Sequence, residues 1–157
     1  MRPPLSLKGR ALQLLAQREH SVAELRRKLL RHARDDADDA DGADAAARID
    51  EVIAWLLAHK HLSEERFVES RIHVRAARYG NLRIRQELAQ HGLALGTDAA
   101  QALRDSELER ALQVWKRKYG TPPADATERA RQSRFLAQRG FSPEVIARVM
   151  RSAAQAD

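Results

Sequence analysis

A seven-residue phrase beginning with Leu-Ala occurs four times in this chain and constrains its fold more than any other feature. The copies are LAQREHS at 15–21, LAHKHLS at 57–63, LAQHGLA at 88–94 and LAQRGFS at 136–142. Gly92 and Gly140 suit the left-handed backbone conformation that ends many helices, and a terminal serine suits the N-cap of the next helix. Each copy therefore predicts a junction at which one helix ends and another begins.

The apolar residues between these junctions have the spacing and composition of helices. Positions three and four apart are apolar from Leu7 almost to the C-terminus, and no segment sustains the period of two expected for strands. The chain contains 28 alanines and 19 leucines but only 12 valines and isoleucines together. Because alanine and leucine favour helices and β-branched residues favour strands, we predict an all-α protein.

A second repeated pattern predicts how the helices are grouped. Val74 followed by Tyr79-Gly80 matches Val114 followed by Tyr119-Gly120. With the junctions, this pattern predicts three tandem three-helix repeats at 1–62, 63–106 and 107–157. The nine predicted helices are 6–18, 21–33, 45–60, 63–78, 81–91, 97–104, 107–118, 126–139 and 142–154. Because one such unit cannot bury its apolar face alone, we expect the repeats to stack into an elongated, curved body.

The chain is long enough, at 157 residues, to bury a core without disulfides, and it has no cysteine. The absence of cysteine excludes thiolate metal sites and thiol catalysis. No apolar run reaches the ~18 residues of a membrane span, so we expect a soluble, cytoplasmic protein. The predicted core consists of Leu12, Leu15, Leu25, Leu29, Ile53, Phe67, Ile72, Tyr79, Ile84, Leu88, Leu112, Trp115, Phe135, Phe141 and Ile146.

The charges are segregated along the sequence. Lysine and arginine number 28 against 22 acidic residues, which gives a net charge of +6. Six aspartates lie within residues 35–44, a segment without a basic residue, and we predict an acidic flexible loop there in the first repeat. The remainder of the chain is strongly basic and rich in arginine, which favours a polyanion or an acidic groove as partner.

The candidate binding residues are the basic side chains of the second and third repeats. Arg71, Arg75 and Arg78 have the i, i+4, i+7 spacing that places residues on one face of the fourth predicted helix. The other candidates are Arg83, Arg85, Lys116, Arg117, Lys118, Arg131 and Arg134. Guanidinium groups suit bidentate contacts with phosphate or carboxylate, although any single arginine here is equally well explained as a solvated surface charge.

Residues that could support catalysis are better explained by helix structure. His59 and His61 resemble a metal-binding pair, but zinc needs three or four converging ligands and no others lie nearby in sequence. Acidic pairs such as Glu64-Glu65 begin predicted helices, where carboxylates favour the positive dipole end. The glycines are scattered singly, so no phosphate-binding loop is present. We predict no metal, no cofactor and no enzymatic activity.

Several segments together resemble one protein family along nearly the whole chain. They are Arg10-Ala11-Leu12, HSVAELRRKL at 20–29, VIAWL at 52–56, LSEERFV at 62–68, YGNLRIRQEL at 79–88, KYG at 118–120, and RFL with RGF at 134–141. In order and spacing they closely resemble the RecX regulators of the bacterial RecA recombinase. One departure is Lys60, which stands near a position where the family usually has glycine.

The resemblance implies a fold and a partner. RecX proteins are three tandem three-helix repeats that lie along the groove of the RecA filament on single-stranded DNA. They block its extension or promote its disassembly, and so restrain homologous recombination, DNA repair and the SOS response. On this basis we expect a monomeric, non-catalytic regulator of RecA, with direct contact to DNA left open.

Two other functions fit the residues. Serine-capped helix pairs with basic second helices are also typical of helix-turn-helix transcription regulators, although here the basic residues are spread over two repeats. A helical scaffold for another protein, with arginines serving only solubility, is the third interpretation. A sequence-selective footprint on duplex DNA would favour the transcription regulator, and salt-insensitive interactions would favour the scaffold.

Overall fold

The computed structural model describes residues 4–36 and 42–155, and this part of the chain contains helices and turns without strands. The helices are α1 (Leu7–Gln17), α2 (Val22–Asp36), α3 (Gly42–Ala58), α4 (Glu64–Arg75), α5 (Asn81–Gln90), α6 (Thr97–Lys118), α7 (Ala126–Gln138) and α8 (Pro143–Gln155). The all-α prediction is confirmed. The chain divides into two compact units, Met1–Ser70 and Arg71–Asp157.

The predicted junctions lie at helix ends. Gly92 and Gly140 have positive φ angles, and Pro143 is the first residue of α8, as expected from the sequence. The serine hydroxyl oxygens accept hydrogen bonds from backbone N–H groups three residues ahead: Ser21 from Glu24 at 3.1 Å, Ser63 from Arg66 at 3.2 Å and Ser142 from Val145 at 3.3 Å. The repeated phrase is therefore a helix stop followed by a helix start.

One predicted junction is absent. The helices expected at 97–104 and 107–118 form the single helix α6, so the part of the chain that the structure describes has eight helices and not nine. Asp105 accepts from Gln101 at 2.8 Å, and the Ser106 hydroxyl donates to the Leu103 carbonyl at 3.3 Å. These polar side chains bond along their own helix and do not cap a new one, and no glycine or proline interrupts it.

The predicted acidic loop at 35–44 is wrong at both ends. Asp35 and Asp36 belong to α2, and Asp44 lies in the first turn of α3, where its carboxylate favours the helix dipole and lies 3.6 Å from Arg48. The alanines at 45–47 are strong helix formers and extend α3 toward the acidic residues. Asp38, Asp39 and Asp41 lie outside the described residues.

Each unit has its own apolar cluster. In the first unit, helices α1 to α3 and the turn after α3 bury Ala11, Leu25, Leu29, Ile49, Ile53, Leu56 and Leu62. In the second unit, helices α6 to α8 and the turn between α7 and α8 bury Ala111, Val114, Trp115, Leu136, Phe141, Ile146, Val149, Met150 and Ala153. Ile84 and Leu88 of α5 are also buried, and α5 packs on α6.

Most of the predicted core is buried. The confirmed positions are Leu25, Leu29, Ile53, Phe67, Ile84, Leu88, Trp115, Phe141 and Ile146. Those only partly buried are Leu12, Leu15, Ile72, Tyr79, Leu112 and Phe135. The ring of Tyr79 packs against the guanidinium groups of Arg83 and Arg139.

Candidate functional site

Four basic residues of the second unit meet around one concave pocket of about 290 Å³. Its lining consists of Ala77, Arg78, Val114, Arg117, Lys118, Phe135 and Arg139, and we call it the basic pocket. Arg78, Arg117 and Lys118 were predicted from sequence as binding residues. The lining contains no carboxylate, so the four cations create a concentrated positive potential.

Three separate segments contribute these cations. Arg117 and Lys118 end α6, where basic side chains favour the negative end of the helix dipole. Arg139 is the C-cap of α7, and Arg78 lies in the turn after α4. The Arg117 guanidinium donates to the carbonyl of Ala77 at 3.1 Å, which attaches the end of α6 to that turn.

Aromatic rings hold several cations in place. The Arg139 guanidinium carbon lies 5.2 Å from the centroid of the Phe135 ring and 5.4 Å from that of Tyr79. The guanidinium carbon of Arg83 lies 4.2 Å from the Tyr79 centroid, and the Lys118 ammonium lies 5.6 Å from that of Phe135. Cation–π contacts of this kind orient a side chain without neutralising its charge.

Arg71 and Arg75 differ from the pocket residues because they share an acidic partner. The Nε atom of Arg75 lies 3.1 Å from Glu87 Oε2, and that of Arg71 lies 3.8 Å from Glu87 Oε1. Helix α4 ends at Arg75, so the expectation that Arg78 continues its basic face is wrong. Tyr79 leads directly into Gly80 and α5, and the preceding residues turn the chain to reach it.

The remaining predicted residues lie outside the basic pocket. Arg83 lines a neighbouring concavity of about 580 Å³ together with Arg75 and Glu87, and its guanidinium donates to the Gln138 carbonyl at 3.3 Å. Arg131 pairs with Glu128 of its own helix at 3.3 Å. Exposed positions on three helices hold the others: Arg85, Lys116 and Arg134.

A partly buried polar network fixes the turn that carries Arg78. Arg110 of α6 donates to the carbonyls of Ala76 at 3.0 Å and Tyr79 at 2.8 Å, and also to the side chain of Asn81. Glu107, buried to 5% exposure, accepts from the Asn81 backbone N–H at 2.7 Å. Burial lowers the pKa of Arg110, and the charge of Glu107 opposes that effect.

Sequence reasoning missed Arg139, Arg110 and Glu107. Arg139 belongs to the LAQRG phrase, which predicts only a helix junction. Arg110 and Glu107 lie three residues apart and resemble an ordinary helical ion pair in sequence. A sequence signal for Arg139 existed in the nearby aromatic residues Phe135 and Phe141, but nothing local indicates that Arg110 reaches the turn at 76–79.

The histidine pair of the first unit stacks on an aromatic ring. The ring of Trp55 lies 4.2 Å from that of His59 and 5.4 Å from that of His61, and the Lys8 ammonium lies 3.7 Å from the indole centroid. Among the side chains of residues 4–35 and 44–155, no group of three or more potential ligands is arranged to hold a metal ion. In the same residues, none of the helices combines the length and apolar character of a membrane span.

Comparison with known proteins decides the family. A model of the second three-helix domain of RecX matches residues 63–103, and a model of the third three-helix domain matches residues 105–150. The chain is 53% identical to the regulatory protein RecX of Leptothrix cholodnii over 154 residues, 97% of this chain and 92% of that protein. The chain belongs to the RecX family.

Other RecX relatives are similar over the same span. The regulatory protein RecX of Ralstonia nicotianae is 48% identical, with 97% of this chain and 91% of that protein covered. That of Herbaspirillum seropedicae is 47% identical, with 97% and 94% covered. The RecX resemblance drawn from the sequence is thus confirmed, as is a fold that contains three-helix domains. The chain is a member of a family of regulatory proteins.

Proposed function

We propose that this chain restrains the RecA recombinase by binding the RecA nucleoprotein filament on single-stranded DNA. The observation that carries the proposal is the convergence of Arg78, Arg117, Lys118 and Arg139 on a pocket without carboxylates. Membership of the RecX family supports the choice of RecA as partner. The protein acts by occupying a surface, without a chemical step, in keeping with relatives that are named regulatory proteins.

Electrostatics supplies the attraction in this proposal. A filament contains a phosphate backbone, and guanidinium groups form charge-assisted, often bidentate hydrogen bonds with phosphate and carboxylate oxygens. Cation–π contacts already orient Arg139 and Lys118, so less side-chain entropy is lost on binding than for free surface arginines. Binding of this kind weakens steeply as salt rises.

The remaining features of the proposal come from the sequence. The chain consists of repeats at 1–62, 63–106 and 107–157, and it works as a cytoplasmic monomer that lies along the filament groove. There it blocks extension or promotes disassembly, and so limits recombination, DNA repair and the SOS response. Arg71, Arg75, Arg83, Arg85, Lys116, Arg131 and Arg134 remain candidate contacts beside the basic pocket.

The test is RecA filament assembly on single-stranded DNA, followed by light scattering and by DNA-dependent ATP hydrolysis. The wild-type chain should inhibit both signals at substoichiometric concentration. The triple variant Arg78→Glu/Arg117→Glu/Lys118→Glu should lose at least tenfold in inhibitory potency, because it places three anions at the site of three cations. Circular dichroism checks that its helicity is retained.

A matched control separates the pocket from net charge. Arg129, Arg148 and Arg151 are exposed residues of α7 and α8 outside the pocket lining, and reversing all three to glutamate changes the net charge equally. This control should inhibit like the wild type. Equal loss in both variants would contradict the proposed site, and no inhibition by the wild-type chain would contradict the proposed function. A sequence-selective footprint on duplex DNA without RecA would favour the transcription-regulator alternative.

A further inference from the structure

The concavity of about 580 Å³ that Arg83 lines in the second unit has the size of a ligand site. Small-molecule sites have volumes of about 300 to 1,000 Å³. We call this concavity the α5 cleft, because most of its residues lie on α5. Its lining consists of Arg75, Leu82, Arg83, Gln86, Glu87, Gln90, Ala137, Gln138 and Gly140.

Two hydrogen bonds attach the α5 side of the cleft to the end of α7. Leu82 donates its backbone N–H to the Gly140 carbonyl at 3.1 Å. The Arg83 guanidinium donates to the carbonyl of Gln138, the last residue of α7, at 3.3 Å. Because main-chain atoms take part in both bonds, the cleft is formed before a ligand binds, and little backbone ordering is needed on binding.

Two guanidinium groups of the cleft lie against the same aromatic ring. The guanidinium carbon of Arg83 is 4.2 Å from the centroid of the Tyr79 ring, and that of Arg75 is 5.7 Å from it. Glu87 engages Arg75 through Nε, at 3.1 Å, and no carboxylate in the part of the chain with described side chains forms an ion pair with Arg83. Both groups therefore keep N–H donors for one phosphate group.

Three glutamine carboxamides of the same cleft are unused by the fold. The side chains of Gln86, Gln90 and Gln138 are exposed and form no hydrogen bond with the rest of the described chain. Leu82, Gln86 and Gln90 are spaced by four residues and form a row on one side of α5. A carboxamide has a donor beside an acceptor, the pattern that pairs with N6 and N7 of adenine. Leu82, which is 54% exposed, offers the base an apolar contact.

The charges of the cleft favour a ligand with a single phosphate group. The lining contains two arginines and Glu87, so one positive charge is uncompensated. A phosphate monoester carries about two negative charges at neutral pH, and a triphosphate would bring further charges near the Glu87 carboxylate. A protein partner usually depends on large apolar or aromatic anchors, and Leu82 is the one large apolar residue of this lining. The composition therefore fits a small nucleotide better than a peptide.

We propose that the α5 cleft binds an adenine nucleoside monophosphate. The phosphate contacts Arg75 and Arg83, the edge of the adenine pairs with the glutamine carboxamides, and the base lies against Leu82. The site needs neither RecA nor a DNA strand, and the inference does not rest on the proposed function.

The experiment is isothermal titration calorimetry of the full chain with adenosine 5′-monophosphate (AMP), without RecA or DNA. The wild type should bind AMP with a Kd below about 1 mM. Ribose 5-phosphate, which keeps the phosphate and lacks the base, should bind about tenfold more weakly, as expected for the loss of one bidentate pair. Absence of AMP binding, or equal affinity for the two ligands, would overturn the proposal. Tighter binding of ATP than of AMP would also overturn it, because Glu87 should disfavour the added charge.

Two variants separate recognition of the base from recognition of the phosphate. Gln86→Ala/Gln90→Ala should bind AMP about tenfold more weakly and ribose 5-phosphate as the wild type does, so that the preference for AMP is lost. Both glutamines are exposed and alanine is the best helix former, so the fold is retained. Arg83→Gln should weaken the binding of both ligands by a similar factor. A preference for AMP that survives in the glutamine variant would overturn the proposal.

Controls separate the cleft from other sources of the same effect. Gln101→Ala/Gln113→Ala removes two exposed carboxamides of α6 outside the cleft lining and should bind AMP within about twofold of wild type. An equal loss there would overturn the assignment to the cleft. Displacement of AMP by single-stranded oligodeoxyadenylate at a lower nucleotide concentration would indicate a site for a DNA strand and also overturn the proposal. Because no mixture contains RecA, failure of this proposal is distinguishable from failure of the proposed function.

Discussion

The backbone N–H of Gly80 donates to the carbonyl oxygen of Arg139 at 2.8 Å, and so joins the start of α5 to the end of α7. A second bond runs from Leu82 N–H to the Gly140 carbonyl at 3.1 Å. Two helix junctions of the second unit thus contact each other through main-chain atoms. This contact brings Tyr79 beside the Arg139 side chain, and the cation–π arrangement at the edge of the basic pocket depends on it.

Gly80→Ala should destabilise the second unit strongly. A Cβ atom at Gly80 would overlap the backbone of Gly140 and Phe141, and main-chain atoms cannot rotate away as a side chain can. We expect a loss of about 3 kcal/mol or more in the free energy of unfolding, at the upper end for overpacking. Urea denaturation followed by circular dichroism measures it.

Gly96→Ala is the matched control for this substitution. Gly96 also precedes a helix, as the N-cap of α6, but a Cβ there meets nothing within 4 Å. Its effect should stay below about 1 kcal/mol, in line with glycine-to-alanine changes at unstrained sites. Similar losses in both variants would show that close packing at Gly80 is not what excludes a side chain.

Lys60→Gly should stabilise the first unit. Lys60 is the only non-glycine residue with a positive φ in the described residues, at 60°. The left-handed conformation costs an L-residue about 1 kcal/mol through contact of Cβ with the backbone. The exposed lysine side chain makes no compensating ion pair among the described residues.

We therefore expect Lys60→Gly to raise the free energy of unfolding by up to about 1 kcal/mol, because relief of strain exceeds the added entropy of the unfolded glycine. The measurement is the urea midpoint at constant m-value. Lys60→Ala keeps the Cβ and should give no such gain. A gain in the alanine variant would attribute the effect to loss of charge and not to the backbone.

The helix junctions are predictable because they depend on residues close together in the sequence. Contacts between residues far apart in the sequence are not. The positive φ of Gly140 and the cap at Ser142 follow from residues within one turn of each other. The continuity of α6 through Ser106 was missed because a mid-helix serine and a capping serine look alike until the hydroxyl finds its acceptor. Fold class therefore follows from the sequence, but the bounds of α6 do not.

The sequence predicts that basic residues form the candidate site, but it does not predict how the fold brings them together. Arg117 and Lys118 were found because they are adjacent in sequence at a helix end. Their assembly with Arg139 depends on the backbone contact between Gly80 and Arg139. Arg75 is less available to a partner because it is hydrogen-bonded to Glu87, twelve residues further along the chain. Pairings over such separations are set by packing, which periodicity does not encode.

Arg110→Lys should destabilise the second unit although the charge is kept. The guanidinium donates to Ala76 and Tyr79 carbonyls, to the Leu103 carbonyl at 3.2 Å and to Ser106 at 3.0 Å. An ammonium has three donors on one nitrogen and cannot reach partners on both sides as the planar fork does. We expect a loss of about 2 kcal/mol, since partly buried carbonyls are left without donors.

The effect of Arg110→Lys on the basic pocket can be distinguished from simple destabilisation of the fold. Arg110 holds the turn that carries Arg78, so Arg110→Lys should also weaken inhibition of RecA in the assay above, at temperatures where the variant is fully folded. Gln113→Ala, on an exposed position of the same helix, serves as the control. Full inhibition by folded Arg110→Lys would show that the pocket does not need the turn in place.

His20 is buried in the first unit among charged neighbours. Its Nδ1 lies 3.0 Å from the Arg18 carbonyl, which only accepts, so Nδ1 carries the proton. Its Nε2 lies 2.9 Å from the Lys28 ammonium, which only donates, and 3.7 Å from Glu24 Oε1. The contacts fit a neutral ring, and burial lowers the pKa of His20, aided by the charges of Arg18 and Lys28.

The carboxyl group of Glu24 beside this ring titrates in a separate, more acidic range. Burial opposes its ionisation, but the hydrogen bonds and charge of Arg18 outweigh burial and lower the pKa of Glu24. The stabilisation that this carboxylate contributes is therefore complete at neutral pH and is lost only below about pH 4.5. A fall in stability between pH 7 and 5 consequently reports on the histidine and not on Glu24.

The stability of the first unit should fall as the pH drops below about 6.5, where the unfolded state takes up a proton that folded His20 resists. Above that pH the contribution is complete, and it is lost as the pH falls toward the lowered folded pKa, by at most about 1.4 kcal/mol for each pH unit. Urea unfolding between pH 7.5 and 5 should show this fall in the wild type and a flatter profile in His20→Gln. His59→Gln, at an exposed position of the same unit, is the control for removing a histidine. An equally flat pH profile in His59→Gln would refute the assignment to His20.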